Sequence, residues 1–298
     1  MNILITGAIT LNENFKKNIL ELNNNIIFQQ NEKDELICDY LWVEGVICNS
    51  LFLYHDITKF KNLKYIQLTS AGYDRVPLDY ITKNNIKIYN AKGVYSIPMA
   101  EFVISSVLQI YKQNRFFNNN QKKHIWEKNR NLLELFGKNV CILGCGNVGT
   151  ECAKRFKAFE CNVYGVDINI YQNKYFDEII NIKSLNEILP KGDIVVLTLP
   201  LTSLTKHLFD KNKFNLMKEN AILINISRGA IINTDDLINY SSKLNAIILD
   251  VFEEEPLNEN SPLWNMSNVI ITPHNSFVGE NNNARLYKLI LNNLRENI

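Results

Sequence analysis

Short runs of branched and aromatic apolar residues recur early in the chain, at residues 3–6, 46–48, 65–69 and 86–89, and amphipathic stretches such as 15–22 separate them. Alternation of that kind predicts βαβ units and a parallel sheet. Residues 98–113 then run apolar from a starting proline with no glycine, which predicts one long, largely buried helix opened by Pro98. A polar stretch rich in Asn and Lys, 114–130, follows it. Six further apolar runs, at 140–143, 163–166, 194–199, 222–226, 247–249 and 269–271, predict an almost complete doubly wound sheet. Helix signals lie between them: 147–159, Ser184-x-x-Glu187 with the spacing of a capping box, 211–217, and 234–244 with Thr234 as N-cap. Residues 281–298 read as a helix beyond the last strand, free to pack elsewhere. The expected fold class is α/β, with two doubly wound parallel-sheet domains: a discontinuous one of residues 1–95 plus 277–298, and a second of residues 96–276.

Composition narrows the function classes. With 32 Lys+Arg against 31 Asp+Glu, the formal charge of +1 argues against nucleic acid or an anionic membrane as a partner held by bulk charge. At 298 residues and 46% hydrophobic the chain can bury a core for one large or two ordinary domains. Six cysteines (Cys38, Cys48, Cys141, Cys145, Cys152, Cys161) form no C-x-x-C pair and have no histidine at ligand spacing, so neither a metal site nor a disulfide framework is signalled. No run approaches the ~18 apolar residues of a membrane span, and the start shows no basic leader, so the expected location is cytoplasmic.

Gly144-Cys145-Gly146-Asn147-Val148-Gly149 is a G-x-G-x-x-G between a strand run and a helix pattern, and Asp167 ends the next strand run 18 residues beyond Gly149. That is the layout of a dinucleotide site, in which the glycines let the backbone turn and approach a pyrophosphate at a helix N-terminus. Asp167 would accept hydrogen bonds from the adenosine ribose, repelling a 2′-phosphate, so the expected cofactor is NAD and not NADP. The alternative is a glycine-rich turn that binds nothing.

Three further segments each end a strand run: Asn225-Ile226-Ser227-Arg228-Gly229-Ala230, Leu249-Asp250-Val251-Phe252-Glu253-Glu254-Glu255-Pro256-Leu257, and Ile271-Thr272-Pro273-His274. An open α/β sheet places its ligands at such strand ends. With them, in order, stand Ser70-Ala71-Gly72-Tyr73-Asp74, Gly93-Val94-Tyr95-Ser96, Ala100-Glu101, the fingerprint, and Leu199-Pro200-Leu201-Thr202 with Thr205. The whole series resembles the D-isomer-specific 2-hydroxyacid dehydrogenase family over most of the chain. The resemblance implies a substrate-binding domain at 1–95 plus 277–298, a Rossmann NAD-binding domain at 96–276, and a cleft between them. It implies Arg228, Glu255 and His274 as the catalytic triad. A guanidinium clamps a carboxylate and polarises a carbonyl, an imidazole exchanges a proton near neutral pH, and a carboxylate stabilises the imidazolium. It further implies cofactor contacts at Gly144, Gly146, Asn147, Val148, Gly149, Asp167, Leu199, Pro200, Thr205, Ile226, Ser227, Arg228, Asp250 and His274, and substrate contacts at Ala71, Gly72, Tyr95, Arg228 and His274. A homodimer through the long helix and the arm containing Trp126 is expected from the same resemblance.

Departures from the family pattern refine these expectations. Asn245-Ala246-Ile247-Ile248 stands where many members carry small residues. Ser70 replaces a cation common in phosphoglycerate dehydrogenases, which leans against a phosphorylated substrate unless Arg75 and Lys92 supply that charge. Ala71 stands in place of the lysine of phosphite-oxidising relatives, and Glu255 in place of a residue that is not acidic in formate dehydrogenases. The regulatory domains of longer serine-pathway relatives are not expected. The alternatives are D-3-phosphoglycerate oxidation within the enzyme class and, outside it, an NAD-sensing corepressor-like module. The other histidines, His55, His124 and His207, match no motif and read as structural or exposed.

Overall fold

The computed structural model describes residues 1–297. Two compact units divide the chain, Met1–Tyr95 with Gly279–Ile298, and Ser96–Val278. The return crossing falls at 279, two residues later than the hydrophobic pattern places it. Phe277 and Val278 stay with the second unit because the Phe277 ring meets His274 edge-on at 6.0 Å and the Val278 N–H donates to the Asn275 carbonyl.

In the first unit β1 (Asn2–Thr6), β2 (Asn25–Gln29), β3 (Gly45–Cys48), β4 (Tyr65–Leu68) and β5 (Lys87–Tyr89) form a parallel sheet in the order β2-β1-β3-β4-β5. The period of two sends successive side chains to opposite faces: Ile3 and Ile5 of β1 pack into one core, and Leu4 packs into the other. Helix α1 (Glu13–Glu21) starts where the Asn12 side chain accepts the Phe15 N–H, and it buries Phe15 and Ile19. Two short helices, α2 (Leu51–Tyr54) and α3 (Leu78–Lys83), follow β3 and β4. Strand β2 is absent from the sequence expectation because it is an edge strand, whose Ile26, Ile27 and Phe28 are only half-buried.

The second unit opens with α4 (Ser96–Tyr111) and α5 (Asn114–Lys122). Its seven strands are β6 (Asn139–Leu143), β7 (Asn162–Asp167), β8 (Glu178–Asn181), β9 (Ile194–Leu197), β10 (Ile222–Asn225), β11 (Ala246–Leu249) and β12 (Val269–Ile271). They pair in parallel in the order β12-β11-β10-β9-β6-β7-β8, so the order reverses between β6 and β9. The helices are α6 (Asn147–Ala158), α7 (Leu185–Ile188), α8 (Lys211–Leu216) and α9 (Thr234–Tyr240). The seventh strand, β8, goes unseen in the sequence because it too is an edge strand, with only two apolar residues. Both expected caps are corrected. Residues 182–184 wind as a 3₁₀ turn whose own cap is Asn181, so the Ser184 side chain makes no capping bond; α9 is capped by Asn233, which accepts the Asp236 N–H at 3.0 Å. Finally α10 (Asn282–Arg295) returns to the first unit, seating Leu286, Ile290 and Leu294 beside Ile3 and Ile5, and Tyr287 stacks on Phe15. Among the described residues no helix is long and apolar enough to cross a membrane, and no cluster of His, Cys, Asp and Glu could hold a metal ion.

Candidate active site

The turn from β6 to α6 shows why three glycines stand there. Gly144 sits at φ +97°, and a Cβ on it would lie 2.8 Å from the Thr198 carbonyl carbon; a Cβ on Gly149 would lie 2.0 Å from the Gly144 oxygen. The protein's own packing therefore demands both. Gly146 differs: a Cβ there meets nothing within 4 Å, and no side chain caps α6. An uncapped helix N-terminus opening on space is an anion cradle, which fits a pyrophosphate. Asn147 is exposed and Val148 half-buried in the first turn. Across the turn, Asp167 ends β7 with Oδ2 accepting the Cys145 N–H at 2.8 Å and Oδ1 accepting the Asn169 N–H at 3.3 Å, so its carboxylate is already oriented. The thiol between the first two glycines is no nucleophile. Burial, with help from the Asp167 charge, pushes Cys145 up to about 12.

Beside this turn the Thr198 N–H donates to the Leu143 carbonyl. The loop that follows is folded by Thr205, buried, whose hydroxyl donates to the Pro200 carbonyl at 2.7 Å and accepts the Thr202 N–H at 2.8 Å. Leu199 is buried and Pro200 exposed.

At the end of β10, Asn225 is fully buried and serves as an internal cap. Its oxygen accepts the Ser227 N–H and hydroxyl at 3.1 and 2.8 Å, and its amide donates to the Arg228 carbonyl at 3.0 Å. This fixes Ile226 and Ser227 inside and presents a half-buried Arg228, whose Nη1 donates to the Ser227 carbonyl. A Cβ on Gly229 would lie 1.8 Å from the Phe252 carbonyl carbon, so this glycine lets the Arg228 loop lie directly against the loop after β11.

That second loop carries the carboxylate that meets His274. Glu255 Oε1 accepts the Phe252 N–H at 3.0 Å, which aims Oε2 at His274 Nδ1, 2.8 Å away. With the Nδ1 proton engaged by the carboxylate, Nε2 is the ring nitrogen that this contact leaves to exchange a proton. His274 occupies the left-handed region at φ +51°, a conformation costing about 1 kcal/mol or more for a residue with a Cβ, and its N–H donates to the Asp250 carbonyl at 2.8 Å. Asp250 itself is fully buried. Its carboxylate accepts the Thr272 hydroxyl at 2.6 Å and the Asn275 and Ser276 N–H groups at 2.7 and 3.0 Å. It thus organises the loop that carries His274.

In the first unit the loop after β4 is tied down from within. The Asn90 amide donates to the Ala71 carbonyl at 2.6 Å, the Ser70 hydroxyl to the Gly72 carbonyl at 3.1 Å, and the Tyr95 hydroxyl to the Thr69 carbonyl. Burial raises the Tyr95 phenol, which keeps that proton in place.

Sequence reading misses Asn225 as a support, Gly229 as a contact point and the partner of His207. The signal for the first lies in Asn-x-Ser at a strand end, an Asx-turn pattern. His207 lies 2.5 Å from Glu253, whose other oxygen accepts the Thr234 N–H at 3.0 Å and hydroxyl at 2.5 Å.

Fold and site together define a dinucleotide-binding α/β protein with a carboxylate–imidazole pair and an arginine at neighbouring strand ends. Residues 104–276 match the family model for the D-isomer specific 2-hydroxyacid dehydrogenase, NAD binding domain, and the chain belongs to that family. It is 34% identical over 224 residues to a D-3-phosphoglycerate dehydrogenase of Methanocaldococcus jannaschii, covering 73% of this chain and 42% of that one. It is 30% identical over 247 residues to a glyoxylate reductase of Thermofilum pendens, covering 78% and 71%. The chain spans about two fifths of the length of the phosphoglycerate dehydrogenases it matches. Among solved structures, a D-isomer specific 2-hydroxyacid dehydrogenase family protein from Aeromonas salmonicida aligns with a TM-score of 0.83 at 28% identity, covering 98% of this chain and 94% of that one.

Proposed function

We propose that this protein is an NAD-dependent D-2-hydroxyacid dehydrogenase working as a reductase of small 2-keto acids, with the first unit binding substrate and the second binding the dinucleotide. The observation that carries the reading is the 2.8 Å Glu255–His274 pair, built at the same sheet edge as Arg228 and the uncapped α6 N-terminus. Gly144, Gly146, Asn147, Val148 and Gly149 cradle the pyrophosphate, Asp167 takes the ribose hydroxyls and so selects NAD, and Leu199, Pro200 and Thr205 wall the adenosine side. Ile226 and Ser227 border the nicotinamide, and Asp250, fully buried behind them, supports that side by holding the His274 loop. When bound, NADH supplies the hydride. Arg228 holds the substrate carboxylate and polarises the keto oxygen, while the backbone N–H groups of Ala71 and Gly72 are the first unit's own anion contacts. His274 delivers a proton from Nε2 to that oxygen in reduction and removes it in oxidation, and Glu255 stabilises the imidazolium.

An unphosphorylated acid fits best. Ser70 brings no cation, and Glu32 brings an anion. Its carboxylate accepts the Thr6 hydroxyl at 2.7 Å and the Asn49 and Ser50 N–H groups at 2.6 Å each, at the carboxyl ends of β1 and β3 where the first sheet reverses order. A fixed carboxylate there repels a phosphoryl group. The likeness to phosphoglycerate dehydrogenases keeps D-3-phosphoglycerate as the second reading. The same proposal takes the protein to be a cytoplasmic homodimer, joined through α4 and the arm whose Trp126 is 99% exposed. Rates of NADH and NADPH oxidation over glyoxylate, hydroxypyruvate, pyruvate and 3-phosphohydroxypyruvate test the reading. Preference for NADH and an unphosphorylated acid supports it. Saturable NADH binding with no oxidation would support the interaction-module alternative instead.

A further inference from the structure

Two histidine–carboxylate pairs hang from one loop. Glu255 faces His274, and two residues earlier Glu253 faces His207, with N···O distances of 2.8 and 2.5 Å. Both histidines sit in the left-handed region, at φ +51° and +50°. Only the first pair belongs to the constellation described above. The second has no contact with reacting atoms in the proposed chemistry, yet it stands where three loops of the site meet.

The partners of Glu253 come from two of those loops. Oε1 takes His207 Nε2, and His207 lies two residues past Thr205 in the loop after β9; its N–H donates to the Ala230 carbonyl, two residues past Arg228. Oε2 takes the N–H and hydroxyl of Thr234 at the start of α9, the helix reached directly from the Arg228 loop. Gly229 meanwhile lies against the Phe252–Glu253 backbone, closer than any side chain would permit. Burial opposes ionisation of Glu253, but hydrogen bonds from Thr234 and His207 hold its carboxyl below the usual range. Glu253 therefore ties the acid–base loop to both the Arg228 segment and the cofactor-side loop by three hydrogen bonds.

We infer that Glu253, with His207 and Thr234, is a positioning residue that fixes where Glu255 presents its carboxylate to His274 relative to Arg228. The inference rests on the reductase reading. Glu253 sits two residues from Glu255, and the neighbouring Phe252 N–H is the backbone group that orients Glu255 Oε1, so releasing Glu253 loosens the stretch that aims the carboxylate. A shift of an ångström at a proton-transfer group is costly in rate while leaving binding largely alone. The pair is about one-third exposed on each side, so its contribution to overall stability is small.

The experiment compares Glu253→Ala, Glu253→Gln, Glu255→Gln and Glu253→Ala/Glu255→Gln with the unmodified protein. For Glu253→Ala the expected kcat falls about tenfold, with KM for NADH and for the keto acid each within about twofold and Tm lower by a few degrees at most. Glu253→Gln, which can still accept from Thr234, recovers most of the loss. In the Glu255→Gln background the alanine change costs little more, because both act through the same carboxylate. Independently of turnover, the downfield Nδ1–H resonance of His274, assigned by its loss in His274→Asn, persists in Glu253→Gln and broadens away in Glu253→Ala. An unmodified protein without turnover would remove the reductase reading and leave the resonance to decide the positioning role. Full kcat in Glu253→Ala, additive losses in the double variant, or an unaltered resonance would overturn the inference.

Discussion

In the proposed reaction His274 and Arg228 do different work, and their substitutions separate it. His274→Asn removes the proton donor while leaving the fingerprint turn untouched, so kcat falls by ~10²–10⁴ with NADH affinity kept. Arg228→Ala removes charged hydrogen bonds to a carboxylate, worth about 1.5–3 kcal/mol, and kcat/KM for the keto acid drops by roughly 10–10² with KM carrying part of it. Steady-state kinetics alongside NADH fluorescence titration checks both. These residues were legible in the sequence because each follows a strand run and the motifs come in order. The groups that hold them were not. Asn225 bonds to Ser227 and Arg228 within its own turn, but nothing in the chain says that the turn is buried. Glu253 carries no signal in the sequence because its partners, His207 and Thr234, lie 46 and 19 residues away and meet it only once the loops after β9 and β10 have landed.

At the level of elements, the glycines of the β6–α6 turn divide into those the fold requires and one, Gly146, that the fold does not and that the proposed dinucleotide does. Gly149→Ala forces a methyl to 2.0 Å from the Gly144 oxygen and should lower Tm by several degrees whether or not cofactor is present. Gly146→Ala meets open space at an ordinary negative φ, so Tm should hold while NADH affinity falls about tenfold or more. Differential scanning fluorimetry with and without NADH separates the two, and a large Tm loss in Gly146→Ala without ligand would contradict the assignment. Pattern reading found the buried strands readily, since a central parallel strand is covered on both faces and must be apolar throughout. It missed β2 and β8, both at sheet edges, where half-burial relaxes that demand. The caps at Ser184 and Thr234 misled it for a related reason. A capping side chain is chosen by which backbone N–H groups the preceding turn leaves unpaired, and Asn181 and Asn233 stood closer to the turn.

For the molecule as a whole, pH acts on its stability from both sides. Burial opposes the ionised form of Asp177 and of Asp193, but Lys157 with the Val163 N–H, and Lys218 with the Asn139 N–H, hold the two carboxyls below their usual range. A carboxylate depressed in the folded state stabilises above its unfolded pKa of about 4 and loses that contribution as pH falls through the folded value, so Tm should decline below about pH 4. Burial pushes the thiols of Cys141 and Cys152 up to about 12 and that of Cys161 to about 11. Unfolded thiols ionise near ~8.5, so their stabilising contribution is intact below that pH and is lost as pH rises toward the folded values. A thiol-specific reagent at pH 8 should accordingly label Cys38, half-buried, well before the five buried cysteines, which react at the rate of unfolding. Most direct of all is the steady-state rate of NADH oxidation with glyoxylate and hydroxypyruvate, measured for the unmodified protein and for His274→Asn at matched NADH occupancy. Turnover is expected to fall at least a hundredfold in the variant. An unmodified protein that binds NADH and consumes none, or a variant that keeps its rate, would contradict it.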